Sequence, residues 1–372
     1  MSLASFENGL NEFSLNLSDL IDIVRRATGK TEIELISLYS EPLIKGNMNP
    51  ATGGVYRLRG ELIEDDKIDE WSLILKISAP NVNYSDPTHY NYWRRESLVY
   101  SSGLLSQIPQ IYKVPECYSI DEKNDSSTWL WIEDLIKKDK KGSWSYDQHI
   151  IVARYVGIFN GAYLTHSYSL PDEEFICRNF MKSWISECDR FERKQFNGSL
   201  FEYQEKLNDI SLKLGKRYED FCDNKEKLLQ KLELLPRVFA HQDIWSKNIH
   251  LRNDGRLHIF DWQFASISGI GEEVGRMVGY AISTQLYNPD SIETIIEKIF
   301  LSYLQGLHET GWNGDPRLAR FGFLTSASFR LLTVVSKLIR KKEEEKVGNL
   351  LAAHTLLKMS AEAIKLKNVI FY

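Results

Sequence analysis

Two neighbouring stretches decide the fold of this 372-residue chain, VFAHQDIWSKNI at 238–249 and LHIFDWQ at 257–263. In the first stretch an apolar run leads onto a short loop that carries Asp243, and Asn248 follows five residues later. In the second stretch an apolar pair ends on Asp261. Each stretch therefore delivers a polar side chain from the end of an apolar segment.

A tight turn between the two stretches is predicted by Asn253-Asp254-Gly255, which is typical of a short hairpin connection. The loop and the hairpin then bring Asp243, Asn248 and Asp261 to one end of a small sheet. Two carboxylates and a carboxamide are costly to bury unless they bind a cation or carry out proton chemistry. The pattern therefore predicts a site of one of these two kinds.

The spacing of His241-x-Asp243, Asn248 and Asp261-Trp262 resembles the catalytic loop and metal-binding hairpin of the protein-kinase-like fold, in its aminoglycoside phosphotransferase and choline kinase branch. The resemblance implies an α+β, two-lobed fold with a small antiparallel β-sheet N-lobe and a large, mainly helical C-lobe. It also implies that Asp243 accepts the proton of a substrate hydroxyl, and that Asn248 and Asp261 bind Mg²⁺ on the phosphates of ATP. An ordinary hairpin with scattered polar residues is the alternative, and the common register of the residues argues against it.

The segment upstream supplies candidate nucleotide-binding residues. Alternating apolar residues predict strands at 33–43, 56–62 and 71–78, with a glycine-bearing turn at 46–54. By resemblance, backbone N–H groups around Gly53 and Gly54 approach the ATP phosphates, where a side chain would obstruct them. Lys76, in the middle of the third strand, would neutralise phosphate charge, although a surface lysine is the alternative.

Two further elements complete the predicted nucleotide site. A helix at 90–105 carries Glu96, which by resemblance fixes Lys76; a surface ion pair with Arg94 or Arg95 is the alternative. A strand at 111–120 precedes the apolar strand 128–135. The latter resembles the connection between the lobes, where the carbonyl of Glu133 and the N–H of Leu135 would bind adenine.

The predicted domain boundary follows from this connection. Residues 1–134 form the N-terminal ATP-binding lobe, which begins with a helix capped by Ser18 and ended by Gly29, and the hinge lies at 131–135. Residues 135–372 form the helical lobe, which carries the catalytic loop and the acceptor site. Its predicted helices are 147–166, 175–191, 200–223, 225–234, 272–283, 291–308, 316–344 and 347–365.

Composition excludes several classes of protein. The formal charge of −5 argues against a nucleic-acid partner, and the basic run at 137–141 is interrupted as in a solvated loop. The four cysteines lack Cys-x-x-Cys spacing, which indicates free thiols in a reducing compartment. Since no apolar run of membrane-spanning length is evident, we expect a cytoplasmic protein without a membrane partner. The sequence does not predict the oligomeric state.

The sequence thus favours an ATP- and Mg²⁺-dependent O-phosphotransferase, and the alternative is a catalytically silent pseudokinase that binds a nucleotide or a partner. The interval 262–271 is too short for the peptide platform of a protein kinase, so we expect a small hydroxylated acceptor such as an aminoglycoside, aminoalcohol or sugar. Glu272 and Glu273 would attract an amine-bearing acceptor, or would serve the dipole of their helix. We expect the His241 ring to bond to backbone, and the contacts of Trp245 and Lys247 stay open.

Overall fold

The computed structural model describes residues 13, 15–43, 49, 51–135, 144–195, 205, 207–252, 256–340 and 343–371. The predicted turn at 253–255, the basic run at 137–141 and residues 44–48 and 50 lie outside the described residues. The chain forms the expected α+β fold, with an antiparallel sheet in its first part and a mainly helical second part.

Strands dominate the first part of the chain. They are β1 (Glu34–Leu35), β2 (Tyr39–Pro42), β3 (Thr52–Glu64), β4 (Lys67–Ser78), β5 (Tyr112–Lys113), β6 (Cys117–Glu122) and β7 (Thr128–Glu133). All except β5 belong to one antiparallel sheet in the order β1-β3-β4-β7-β6, and β2 also pairs with β3. The predicted strands 33–43 and 111–120 are each divided into two short strands. Pro115, which has no N–H to donate to a ladder, lies in the second interruption.

Helix α1 (Leu17–Thr28) covers one face of this sheet with an apolar side that includes Leu20 and Val24. Asn16 caps the helix, because its side chain accepts a hydrogen bond from the backbone N–H of Ser18 at 3.0 Å. The predicted Ser18 cap is therefore wrong by two residues. Gly29 ends the helix in the left-handed conformation, as predicted.

Helix α2 (Arg95–Ser101) is shorter than the predicted helix 90–105. Its first residue, Arg95, is completely buried, and its guanidinium collects backbone carbonyl oxygens from segments far apart in sequence. These acceptors are Pro87, His89, Tyr90, Phe175 and Gln263, at 2.6–3.1 Å. Because the carbonyls of Pro87, His89 and Tyr90 accept from this guanidinium, those residues form turns and the helix begins later.

The second part of the chain is built mainly from helices. They are α3 (Tyr146–Leu164), α4 (Phe180–Gln195), α5 (Leu212–Leu232), α6 (Glu272–Ser283), α7 (Ile292–Glu309), α8 (Pro316–Ser328), α9 (Leu331–Arg340) and α10 (Glu343–Ile370). Val152, Val156 and Phe159 of α3 are fully buried in the large core, as predicted for a central helix.

Several predicted helix boundaries are wrong. The helix predicted from 175 begins at Phe180, and α10 continues through the predicted break between 344 and 347. Two further differences have local reasons. The predicted break at 224 is absent from α5, since the side chain of Asn224 donates to the carbonyl of Asp220 at 2.9 Å within the helix. The predicted helix 316–344 is interrupted after Ser328. There the backbone N–H of Phe329 is shared between the carbonyls of Thr325 and Ala327, and the regular helical pattern ends.

The segment Pro316–Arg340 reaches the length and apolarity of a membrane span, which the sequence did not lead us to expect. Within the described residues, 78% of its most apolar window is buried inside the protein. Its apolar side chains therefore already have a place in the core of the helical part.

Short strands position the loops of the second part. β8 (Arg237–Ala240) pairs antiparallel with β11 (Ser266–Gly269). Between β8 and β11 lie β9 (Ile249–Leu251) and β10 (Leu257–Ile259), which pair antiparallel as the predicted hairpin. β10 also pairs in parallel with β5, so this hairpin is attached to the first part of the chain.

Candidate active site

A cleft lies between the sheet and the hairpin of the helical part. Most of the residues that the sequence singled out border it. They are Lys76, Glu96, Glu133, Leu135, Asn248 and Asp261. The apolar side chains Val55, Ile74 and Ile132 of the sheet form an opposing wall. The cleft therefore joins an apolar surface to a polar end, as an adenine and its phosphates would require.

Lys76 is buried between two carboxylates. Its Nζ lies 2.6 Å from Oδ1 of Asp261 and also forms an ion pair with Glu96. Burial lowers the pKa of Lys76, but the two carboxylates outweigh burial and hold that pKa above its usual value. Lys76 is thus no surface lysine, and the predicted Lys76–Glu96 pair is present.

Glu96 links α2 to the segment after Asp261. Its Oε1 accepts the backbone N–H of Trp262 at 3.2 Å. Arg94 pairs instead with Glu122, and Arg95 bonds to carbonyls, so the alternative ion pairs of Glu96 are contradicted. Asp261 itself has a positive φ of 66°, a conformation that costs free energy in a residue other than glycine and recurs at functional sites.

The loop 241–248 is held by hydrogen bonds at both ends. The His241 ring bonds through Nε2 to the carbonyl of Phe260 at 2.8 Å, and its Nδ1 accepts the N–H of Asp243 at 3.2 Å. Nδ2 of Asn248 donates to Oδ2 of Asp243 at 2.7 Å. Burial raises the pKa of Asp243 to about 6, although the charge of Arg276 opposes this rise. Such a carboxylate is ionised at neutral pH and remains basic enough to accept a proton.

Glu273, at the start of α6, binds the backbone of the same loop. Its Oε1 accepts the backbone N–H groups of His241 at 2.6 Å and Gln242 at 2.8 Å. Its Oε2 accepts Nδ2 of Asn160 at 3.4 Å, and Tyr303 in turn donates to Asn160. These contacts fix Gln242, whose φ of 63° is also positive.

The prediction that Glu272 and Glu273 attract an amine-bearing acceptor is wrong. The two residues are 3% and 1% exposed, and burial raises the pKa of each to about 7. Glu272 accepts the N–H of Gly269 at 2.5 Å and lies 3.7 Å from Arg237. Both carboxylates bind groups of the protein itself. This arrangement is closer to the alternative, in which the two residues serve the start of their helix.

We expect Glu273→Ala to destabilise the protein by roughly 3 kcal/mol or more. The change leaves the buried backbone N–H groups of His241 and Gln242 without their acceptor, and each unmet group costs about 1–3 kcal/mol. Chemical denaturation at neutral pH measures the loss. Glu293→Ala is a matched control, because Glu293 is in the first turn of α7 but its side chain is 68% exposed. Equal free energies of unfolding for the two variants would contradict this structural role.

Asp134 at the predicted hinge is a buried residue that the sequence did not reveal. Its carboxylate accepts Nε of Arg57 at 2.8 Å and the hydroxyl of Ser72 at 2.5 Å. Next to it, the Glu133 carboxylate accepts the N–H of Glu116 at 3.3 Å. These side chains anchor the backbone on which the adenine contacts of Glu133 and Leu135 were predicted.

Gly53 and Gly54 lie within β3, at an irregularity in its pairing with β4. A Cβ on Gly53 would approach Ile77 to 2.9 Å, and a Cβ on Gly54 would approach the ring of Tyr56 to 2.4 Å. Among the described residues, the β3 side chains that border the cleft are Val55 and Arg57. Close packing within the sheet is therefore a sufficient reason for both glycines.

A second cavity borders Asp243 on the side of the helices. Its walls include Trp245 and Tyr280, whose rings meet edge to face at 5.3 Å, together with Arg276 and Arg330. Lys247 lies over the ring of Trp245 at 4.9 Å and borders the cleft. Asp243 thus faces a space that is separate from the cleft of Lys76 and Asp261.

The residues present fit a magnesium ion. Within the described part of the chain, His, Cys, Asp and Glu form no cluster of three that would hold a metal unaided. Mg²⁺ binds with one or two protein ligands and completes its shell with waters and substrate phosphates. Asp261 supplies a carboxylate, and Asn248 supplies an amide oxygen because its Nδ2 is already bonded to Asp243.

Comparisons with known proteins agree with this geometry. Residues 183–309 match the profile of the family described as "APH: Phosphotransferase enzyme family", and this segment contains Asp243, Asn248 and Asp261. The predicted resemblance to the aminoglycoside phosphotransferase and choline kinase branch is thereby confirmed. No curated protein matches the chain.

Solved structures share the overall fold at low sequence identity. Amicoumacin kinase hAmiN, in complex with AMP-PNP, Ca²⁺ and Ami, has a TM-score of 0.50 and 12% identity, and the match covers 95% of each chain. Spectinomycin phosphotransferase APH(9)-Ia with ADP and spectinomycin has a TM-score of 0.45 and 14% identity, covering 95% of this chain and 99% of that one. Choline kinase LicA from Streptococcus pneumoniae has a TM-score of 0.43 and 12% identity, over 93% and 99%. The first of these likenesses establishes the two-lobed, protein-kinase-like fold.

Proposed function

We propose that this protein transfers the γ-phosphate of Mg-ATP to a hydroxyl group of a small molecule. One contact carries the proposal. Asn248 borders the cleft and donates at 2.7 Å to Asp243, which borders the second cavity. A candidate metal ligand and a candidate general base are therefore joined where the two spaces meet. Phosphoryl transfer needs such a meeting point, since the donor phosphate and the acceptor oxygen must lie in line.

Each residue has a role that follows from its place. The backbone of Glu133 and Leu135 binds adenine, while Lys76, positioned by Glu96, neutralises charge on the phosphates. Asn248 and Asp261 hold Mg²⁺, which when bound withdraws charge from the transferred group. Asp243 accepts the proton of the acceptor hydroxyl as that oxygen attacks the γ-phosphorus, and ADP leaves. The backbone N–H groups near Gly53 and Gly54 approach the ATP phosphates in this proposal.

The architecture supports a small acceptor, and it supports nucleotide and acceptor sites in different lobes. In this proposal residues 1–134 bind the nucleotide, 131–135 form the hinge, and 135–372 supply the catalytic loop and acceptor site. The interval between Asp261 and α6 consists of one helical turn and β11. It pairs with β8 and leaves no extended platform for a peptide. The four free cysteines favour a cytoplasmic location.

We expect ATP with Mg²⁺ to raise the melting temperature of the protein. A ligand that binds the native state alone stabilises it by about 2.7 kcal/mol at a hundredfold excess over Kd. Melts with ATP, GTP or ADP, each with Mg²⁺ or with EDTA, measure the effect. An unchanged melting temperature at millimolar nucleotide would exclude the proposed function. Slow, Mg²⁺-dependent ATP hydrolysis without an acceptor would separate an active enzyme from a silent pseudokinase.

A further inference from the structure

Two arginines enter the cavity beside Asp243 from different elements. Arg276 belongs to α6, Arg330 lies in the turn between α8 and α9, and both line the cavity. Arg276 is 7% exposed, and its Nε donates to the carbonyl of Gln242 at 2.5 Å. Its Nη1 and the Nε of Arg330 are buried without a hydrogen-bond partner among the described residues. Two residues that line the cavity therefore carry guanidinium donors that the described protein groups do not satisfy.

The charges around this cavity do not balance. Nη2 of Arg276 lies 4.0 Å from Oδ1 of Asp243, at the outer limit of an ion pair. Within the described part of the chain, no carboxylate lies within 4.0 Å of the Arg330 guanidinium. Burial, together with the nearby charge of Arg276, lowers the pKa of Arg330 to about 9, so it is still cationic at neutral pH. Two cations thus face one carboxylate, and the space between them favours an anion.

Aromatic rings hold the two guanidinium groups in place. Cζ of Arg276 lies 4.7 Å from the ring centroid of Phe180 and 5.3 Å from that of Trp184. Cζ of Arg330 lies 4.9 Å from the same Trp184 ring. Stacking orients a guanidinium plane without using its N–H donors. Those donors remain available for an oxyanion, which guanidinium groups bind in a bidentate manner.

We propose that the acceptor carries an oxyanion, such as a carboxylate or a phosphate, which binds Arg276 and Arg330 while its hydroxyl lies at Asp243. This inference rests on the proposed function and specifies its substrate class. Neither arginine borders the cleft of Lys76 and Asp261, so the oxyanion belongs to the acceptor and not to the nucleotide. An amine-bearing acceptor would instead place its cation against two guanidinium groups.

Matched acceptors that differ in one anionic group test this proposal. The pairs are glycerate with glycerol, gluconate with sorbitol, and glycerol 3-phosphate with glycerol, next to ethanolamine and kanamycin as amine-bearing acceptors. We expect the anionic member to have a kcat/KM at least about 30-fold higher, as found when one partner of a buried charge pair is lost. ADP release with Mg-ATP measures each rate. Comparison of the carboxylate pairs with the phosphate pair shows which of the two anions the site prefers.

Variants of Arg330 assign the preference to this cavity. In Arg330→Met the advantage of the anionic acceptor should fall nearly to unity, and Arg330→Lys should retain part of it. Arg320→Met is the matched control, because Arg320 lies on α8, ten residues before Arg330, and pairs with Glu297 at 2.7 Å and Glu362 at 2.9 Å. It should keep the full preference. Equal loss for anionic and neutral acceptors in Arg330→Met would overturn the proposal, as would a preferred neutral or amine-bearing acceptor.

Sulfate gives a second readout that needs no turnover. Because Trp184 stacks on both arginines, sulfate at millimolar concentration should change the tryptophan fluorescence of the wild type with a saturable curve. The change should be lost in Arg330→Met and kept in Arg320→Met, with chloride at equal ionic strength as reference. A wild type without a saturable response would overturn the proposal even if no acceptor of the panel is phosphorylated. Failure of the proposed function is distinct, since the melting shift with Mg-ATP would then be absent.

Discussion

Asp243→Asn should lower kcat by about 10²–10⁴-fold, the contribution of a positioned general base, and leave nucleotide affinity nearly unchanged. The amide keeps the shape of the side chain and removes the group that accepts the acceptor proton. One contact with Asn248 survives the change, because Nδ2 of Asn248 also donates to the backbone carbonyl of residue 243 at 3.2 Å. The loss should therefore appear in turnover and not in the melting shift with Mg-ATP.

The measurement uses saturating acceptor, so that kcat is read separately from KM. Asp290→Asn is the control, because Asp290 is an exposed aspartate at the start of a short helical turn before α7. Its kcat should equal that of the wild type. Wild-type turnover in Asp243→Asn would refute the role of Asp243 as the base.

Asp261→Asn should weaken the binding of Mg-ATP by more than about tenfold. Loss of even an outer-shell partner of a metal costs about 10–100-fold, and Asp261 supplies the single carboxylate of the proposed metal site. Lys76 would keep Glu96 as its partner, so the fold around it should survive the change.

The dependence of ATP affinity on Mg²⁺ isolates this effect. In the wild type, added Mg²⁺ should raise ATP affinity measured by calorimetry, and in Asp261→Asn most of this gain should be lost. Asp290→Asn should behave as the wild type does. A variant whose ATP affinity responds to Mg²⁺ like the wild type would show that Asp261 does not hold the ion.

Local spacing in the sequence is sufficient to predict the centre of the site. Asp243 and Asn248 are five residues apart on one loop, and Asp261 follows from the hairpin register, so their proximity depends on few chain dihedrals. Lys76 was identifiable because alternation put Leu73 and Leu75 on the opposite face from it, and both are fully buried in the small core.

Contacts between distant segments explain what the sequence could not predict. Glu273 reaches the catalytic loop 31 and 32 positions away, and its partner Asn160 lies 113 positions away. An acidic residue at a helix start has a sufficient local explanation in the helix dipole, so nothing indicated this use. Arg330 joins the cavity because a helix breaks beside it, and the periodicity of 316–344 shows no break. Its aromatic neighbour Trp184 is on another helix.

The five carbonyls gathered by Arg95 have a consequence for the order in which this protein can fold during synthesis. Two of these carbonyls belong to Phe175 and Gln263, which are synthesised 80 and 168 residues after Arg95. Similarly, β5 pairs in parallel with β10, which is synthesised much later than β5. Until then a buried cation and a lone strand edge lack their partners, and loop closure over such distances slows assembly. Arg95 and β5 therefore reach their final packing only after Gln263 and β10 have been synthesised, whereas the small core of the first part is formed by residues 13–131 alone.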